Sequence, residues 1–445
     1  MDDTLFALPP TEPEQHEEAP GVPRLQLPNR GQLELRSVDL DGLLGADHRA
    51  RLVWAFVEGL DLTPLYARIK AVEGHPGRPP IDPAILVALW LYATLEGVGS
   101  ARALDRLCAE HDAYRWLAGG VGLNYHTLAV FQVEHADVLD RLLTESVAAL
   151  LADGLVTLTT VAQDGVRVRA AAGAASYRRR GTLERFLKQA DAHVAALEAE
   201  LDADPAASSR RVAAARERAA RERAERVRHA LAHLPAIEAA KKRNAKLGKP
   251  APEARTSTTD PEARVMKMAD GGWRPAYNAG LVTDTGSQVI VGLDVSNKGN
   301  DQGQLGPMIR QLRRRYARAP GAWLADAGFL RNSEIDEFAA PRAGTTLYLP
   351  VRTPEDRSRD PYLPLPADSP AVAAWRTRMG TPQAKEIYKD RAATAECVNA
   401  IARNRGLQRF GVRGSAKVRA VLLWFALAHN LMRTVALRSA AAAAA

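Results

Sequence analysis

VTLTTVAQDGVRVR, residues 156–169, is the stretch whose reading decides the fold. β-Branched residues crowd its first half, its end alternates apolar with charged residues, and Asp164 is followed at once by Gly165. Such a run reads as a first strand carrying a carboxylate beside a turn residue. A second β-prone run, AWLADAGF (322–329), ends on Asp326 one residue short of its glycine. A third segment, YKDRAATAECVNAIAR (388–403), has helical composition and contains Glu396. Taken singly, an Asp before Gly is a turn residue. As an ordered set, the three describe a divided carboxylate site, because only a sheet and a helix can bring such distant acids together. Convergence of that kind is how hard divalent cations are held for phosphoryl transfer.

Outward from the first strand, sheet character returns in RPAYNAGLVTD (274–284) and QVIVGLDVS (288–296), a hairpin joined by Thr285, Gly286 and Ser287. A helix at 304–316, the strand AWLAD, a helix near 332–338, the strand TTLYLPV, a Pro-rich loop and the Glu396 helix follow. Between the first strand and the hairpin the period changes. Leu183, Leu187, Ala190, Val194, Leu197 and Leu201 step by four and three, and after DADPAASS the run RRVAAARERAARERAERVRHALAHL resumes in a helix-forming alphabet, with Pro235 expected to kink it. An inserted antiparallel helical hairpin is the simplest reading. With it set aside, the element order is ribonuclease-H-like: a mixed α/β sheet flanked by helices.

Upstream, residues 33–150 show one helical pattern after another, with Pro80 and Pro83 at a helix start and Gly97, Gly99, Gly119, Gly120 and Gly122 at breaks. This predicts an all-helical domain compatible with helix-turn-helix DNA binding, with residues 125–135 as the candidate recognition helix. The expected organisation is an acidic disordered tail over 1–32, the helical domain over 33–150, a catalytic domain over 151–182 and 255–438, the basic hairpin over 183–254, and a low-complexity end over 439–445.

The chain has 445 residues, a net charge of +8 and 46% hydrophobic residues, an ordinary globular composition. Its charge is unevenly placed. Residues 1–22 hold six acids and no Lys or Arg, whereas 209–249 hold 13 Lys or Arg against four acids, so a polyanion is the expected partner. No window of about 18 apolar residues stands out; residues 420–428, the nearest, read as a buried helix, and no membrane partner is expected. The start lacks the order of a signal peptide, and two cysteines imply no disulfide framework, so the cytoplasm is the expected compartment. Ten histidines and two cysteines show no zinc spacing, and neither a phosphate-binding Gly-rich loop nor a serine elbow is present.

The segments at 260–292, NDQGQLGPMI (300–309), LADAGF and YKDRAATAE together resemble the DDE transposases of bacterial insertion sequences, and more narrowly the group numbered eleven-eighty-two. The helical stretch 80–139 is similar to the N-terminal domain of the same proteins, and the likeness runs over roughly 35–435. The resemblance implies that Asp164, Asp326 and Glu396 are the catalytic acids and hold two Mg²⁺ or Mn²⁺ ions. It gives Tyr388 and Arg391 the family's signature Tyr and Arg, and Arg403 the place of its Lys, as DNA-contacting residues. Four residues separate Arg391 from Glu396, where the family pattern has three. It further implies double-stranded DNA partners, the element ends and a target site, and a homodimer on DNA.

From the residues themselves, Gly165 and Gly328 leave room for a nucleic-acid backbone, and Glu396, Asn399 and Arg403 share one face of a straight helix. Arg178, Arg179 and Arg180 are candidate phosphate contacts, and Trp273 a candidate base stacker. Asp301 reads as a cap for the helix after it, Asp294 as a less favoured strand acid, and Glu386 and Asp390 as rivals of Glu396. The expected function is therefore DNA cleavage and strand transfer. The alternatives are a catalytically inactive DNA-binding descendant and a metal-dependent nuclease without joining.

Overall fold

The computed structural model describes residues 31, 39–71, 79–203, 210–243, 252–339, 344–353 and 358–444, without the side chains of 200–203 and 210–213. The expected tail over 1–32 lies outside the described residues apart from Gly31, as does the basic end of the insertion at 244–251. Residues 40–445 form one unit.

Its first part is helical: α1 (Arg49–Glu58), α2 (Thr63–Tyr66), α3 (Pro83–Leu95), α4 (Ala101–Glu110), α5 (Asp112–Ala118), α6 (Tyr125–Glu134) and α7 (Ala136–Ala152). The starts are dictated locally. Asp82, Ser100 and Asn124 each turn a side-chain oxygen onto an otherwise unpaired N–H of α3, α4 and α6, and Gly119 ends α5 at φ 58.

β1 (Thr160–Arg169) follows, shorter than the run 156–169 because Leu158 stands at φ 54 with its N–H given to Asp284 Oδ1 at 3.1 Å. Next come β2 (Tyr177–Arg178), α8 (Arg180–Ala203), α9 (Arg210–Arg243) and β3 (Thr256–Ser257). The two short strands pair with each other, so the hairpin of α8 and α9 leaves and rejoins the chain at one place. α9 runs unbroken through Pro235. Its own small core is Leu183, Val227, Ala230 and Leu234.

The sheet is completed by β4 (Arg264–Lys267), β5 (Trp273–Asp284), β6 (Ile290–Ser296), β7 (Ala322–Leu324) and β8 (Thr346–Tyr348). β1 runs antiparallel to β5 and parallel to β7, β8 is parallel to β7, and the far edge of β5 is shared by β4 and β6, both antiparallel. This is the ribonuclease-H-like arrangement. β5 is buried along nearly its whole length, as a strand in the middle of a covered sheet must be. α10 (Leu305–Tyr316), α11 (Asn332–Ala339), α12 (Pro370–Gly380), α13 (Pro382–Arg391), α14 (Cys397–Asn404) and α15 (Ser415–Ala444) surround it.

α15 joins the parts. Trp424 donates to Gln132 O of α6 at 2.9 Å, and the Asn430 amide takes the N–H of Ile290 and donates to its carbonyl, both at 2.8 Å, as a neighbouring strand would. The first helices, α15 and the sheet consequently share one apolar core, in which each fully buried aliphatic or aromatic side chain contributes roughly 1.5–3 kcal/mol. By length and hydropathy α15 could cross a membrane, but 67% of its apolar window is buried against the rest of the chain. It is a core helix, as the reading of 420–428 predicts, and it continues through the terminal alanines to Ala444.

Candidate active site

β7 stops pairing with β1 at Ala162↔Leu324, two residues before Asp164 and two before Asp326. Past that point β1 has no strand partner on this edge until Arg169 bridges to Arg409, and the chain leaving β7 turns away beside it. Both acids therefore stand at the carboxyl end of β7, where open α/β sheets place their ligands.

One guanidinium joins them: Arg391 Nη2, from the last residue of α13, lies 3.3 Å from Asp164 Oδ1 and 3.8 Å from Asp326 Oδ2. Asp164 also accepts the Gly165 N–H at 2.9 Å and Asn399 Nδ2 of α14 at 2.9 Å. Asp326 accepts the Gly328 N–H at 2.7 Å. The two differ in exposure, the Asp164 side chain at 18% and Asp326 at 41%. Burial pushes the Asp164 carboxyl above the usual carboxylate range and the charges of Asp326 and Asp301 push the same way, against the pull of Arg391 and the Gly165 N–H. Tyr388, one turn before Arg391, donates its phenol to Ala325 O at 3.3 Å and so braces the residue before Asp326; burial raises its pKa.

Glu396 stands differently. It closes a π-helical turn, Ala392–Glu396, between α13 and α14; its side chain is exposed, and no described residue pairs with it. That turn explains the extra residue in the spacing. On a regular α-helix a residue five positions on from Arg391 faces roughly 140° away, whereas a π turn, closing i to i+5, returns it toward Arg391's side. Asn399, not Glu396, is the residue of this face that touches Asp164. Arg403 is exposed with no described partner for its guanidinium. Glu386 pairs with Lys389 at 2.6 Å, Asp390 is exposed, and Asp294 sits on β6, beyond β5 from β1.

The other expected contacts are already engaged. Arg178 donates to the carbonyls of Ala175 and Tyr177, Arg179 pairs with Glu253 at 2.8 Å, and Arg180 with Glu238 at 3.0 Å, so these three tie up the base of the hairpin. Along the hairpin Arg221, Arg226 and Arg228 are likewise paired with acids. Trp273 is exposed at the start of β5, as a base-stacking residue must be. α6, the candidate recognition helix, carries no Lys or Arg.

Two residues of the site escape the sequence reading. Asp301 does not cap α10, whose N-cap Gln304 has no side-chain cap bond; its Oδ1 accepts Asn278 Nδ2 of β5 at 2.5 Å instead. Asn278 is 1% exposed, and no described group donates to its Oδ1, an omission that costs about 1–3 kcal/mol. The room expected beside the glycines is occupied by these groups. A Cβ on Gly165 would lie 2.6 Å from Asp301 Oδ1 and 2.8 Å from Asn278 Oδ1, and one on Gly328 2.8 Å from Asp326 Oδ1. The glycines are thus needed for the protein's own carboxylates before any nucleic acid arrives.

Among the described residues no three His, Cys, Asp or Glu stand close enough to hold a metal ion as they are arranged. The donor set still fits one. Asp164 and Asp326 present hard oxygens to a single cationic group, here the guanidinium, and Mg²⁺ keeps several waters and needs one or two carboxylates.

Residues 250–431 match the family described as Transposase DDE domain, and residues 38–132 that described as Transposase domain (DUF772). The first match takes in Asn278, Asp301, Asp326, Arg391 and Glu396; Asp164 falls between the two. No curated protein and no solved structure matches the chain.

Proposed function

Because the chain belongs to the DDE transposases of insertion elements, we propose that it binds the terminal inverted repeats of its own element, of the group numbered eleven-eighty-two, and cuts and rejoins DNA there with divalent metal. The observation that carries this reading is the single Arg391 guanidinium shared by Asp164 and Asp326 at the end of the sheet.

Cleavage joins a water oxygen to phosphorus and releases a 3′ oxygen; transfer joins that 3′ oxygen to a second phosphorus and releases another. Both are in-line displacements in which negative charge builds on the phosphoryl oxygens. Two Mg²⁺ or Mn²⁺ ions, when bound, supply activation of the attacking oxygen and stabilisation of the leaving one. Asp164 and Asp326 would hold them, with Glu396 brought in from its exposed turn as DNA docks. Asn399 and the Gly165 N–H fix the Asp164 carboxylate, so that it meets a cation without losing side-chain freedom at that moment. Tyr388 holds the chain carrying Asp326. Arg391 balances the acids while no ion is bound and is then free to take a phosphate oxygen. Arg403, exposed and with no described partner for its guanidinium, lies along the same helical segment as a phosphate contact, and the Arg178, Arg179 and Arg180 cluster adds backbone contacts at the hairpin base. Two ends must be paired, so a dimer on DNA follows from this reading.

The test is a Mg²⁺- or Mn²⁺-dependent cleavage and joining assay on DNA bearing the element's ends, beside Asp326→Ala. Nicking and strand transfer that disappear in the variant support the proposal. Tight binding without cleavage in either metal points to an inactive DNA-binding descendant, and cleavage without joining to a nuclease.

A further inference from the structure

Asp301 lies in the connection between β6 and α10, where nothing in helix capping employs it. Its Oδ1 is fixed by Asn278, whose amide has one possible orientation there: a carboxylate only accepts, so Nδ2 faces Asp301 and Oδ1 is turned toward Gly165. The free oxygen, Asp301 Oδ2, lies 3.6 Å from where a Cβ of Gly328 would be, and Asp326 Oδ1 lies 2.8 Å from that same point. One carboxylate thus reaches from the backbone beside Asp164 to the turn that holds Asp326. No described Lys or Arg pairs with Asp301, which adds a third negative charge beside the two acids that share the Arg391 guanidinium. The second, independent sign is Asn278 itself, wholly buried, its Oδ1 turned to the backbone beside Asp164 and, among the described residues, lacking a donor.

We propose that Asp301 is a further carboxylate ligand of the cation site, binding through Oδ2 the divalent ion that Asp326 holds, with Asn278 as the residue that positions it. The inference rests on the cation reading of Asp164 and Asp326. It makes the site a cluster in which Asp301 approaches from the α10 side of the sheet and Asp164 from the α13 and α14 side. Asp301 is then present before DNA docks, whereas Glu396 is not.

The experiment is Mn²⁺ binding to the full chain without DNA, followed by electron paramagnetic resonance and calorimetry, for the wild type, Asp301→Asn and Asp326→Asn. Asn at 301 keeps the size and still accepts from Asn278, so the fold is retained. The expected result is a loss of Mn²⁺ affinity of roughly tenfold or more in Asp301→Asn, comparable in direction to Asp326→Asn. A binding curve for Asp301→Asn that superimposes on the wild type, while Asp326→Asn weakens, overturns the role of Asp301 alone. Wild-type protein that takes no Mn²⁺ overturns the cation reading and this inference together. Asp301→Cys gives a second readout: Cd²⁺ should add a thiolate-to-metal absorbance band above that of the wild type, which already carries Cys108 and Cys397. A Cd²⁺ spectrum equal to the wild type's also overturns the assignment.

Discussion

Asp140 and Asp164 are both strand-or-helix acids set against arginines, and they are used in opposite ways. Asp140, on α7, accepts from Arg315 of α10 and from Arg419 of α15 at 2.7 Å, two cations on one carboxylate. Around Asp164 the ratio is reversed: Asp164 and Asp326 share Arg391, and Asp301 adds a further negative charge with no cation partner among the described residues. A joint that holds helices to a sheet closes its charges within the protein. On the proposed function, a site that waits for a cation leaves them open.

The comparison breaks first if the open charges are idle. Asp164→Ala and Asp326→Ala should each cut DNA cleavage by roughly a thousandfold, the equivalent of several kcal/mol of barrier, with end binding retained in a mobility-shift assay; near-normal cleavage by either would return that residue to a structural role. Next is the joint. Asp140→Ala leaves Arg315, whose side chain is 7% exposed, without its acid, and should lower stability by about 2 kcal/mol, somewhat less than a fully buried pair because Asp140 is partly solvated. Urea denaturation measures it, and cleavage per folded molecule should be unchanged.

A third test sharpens the contrast by pH. The folded carboxyl of Asp164 titrates above its unfolded value, so its protonated form favours the fold, and that contribution is present below the ordinary carboxylate range and lost as pH rises through the folded value. Asp164→Asn, which cannot ionise, should therefore melt higher than the metal-free wild type near pH 7, with the difference closing toward pH 3. A variant that melts lower at every pH would show Asp164 to be a stabilising partner like Asp140. The smallest effect concerns exposed pairs. Neutralising Arg179 and Arg180 together should change stability by less than about 1 kcal/mol, yet reduce the salt slope of DNA binding by about 0.9 for each phosphate contact removed. An unchanged slope would leave them as hairpin-base pairs with Glu253 and Glu238.

Much of the sheet is legible because its strands are long or strongly β-branched: β5 and β6 fall within two residues of 274–284 and 288–296, and the helix at 304–316 within one. β4 escapes because RVMK alternates for only four residues with two cations in them, and β2 and β3 because two residues carry no period. α12 hides behind the prolines that precede it. At the candidate site, the approach of Asp164 and Asp326 to one another is readable from strand-end position. Asp301 is not, since a loop acid ahead of a helix looks like a cap whatever it touches. Asn399 left a trace, sharing a face with Glu396, but a 3.6-residue period cannot foresee the π turn that shifts Glu396 relative to Arg391. The one surplus residue in that spacing was its sign.

The two-residue ladder of Tyr177–Arg178 with Thr256–Ser257 has a consequence for cooperativity. α8 and α9 keep a small core of their own, so local opening within the hairpin is expected to leave the β1–β5 ladder intact. The exposed face of α9 around Arg218 and Glu222 is accordingly a place where the polypeptide can be substituted or labelled while the rest of the chain melts as before.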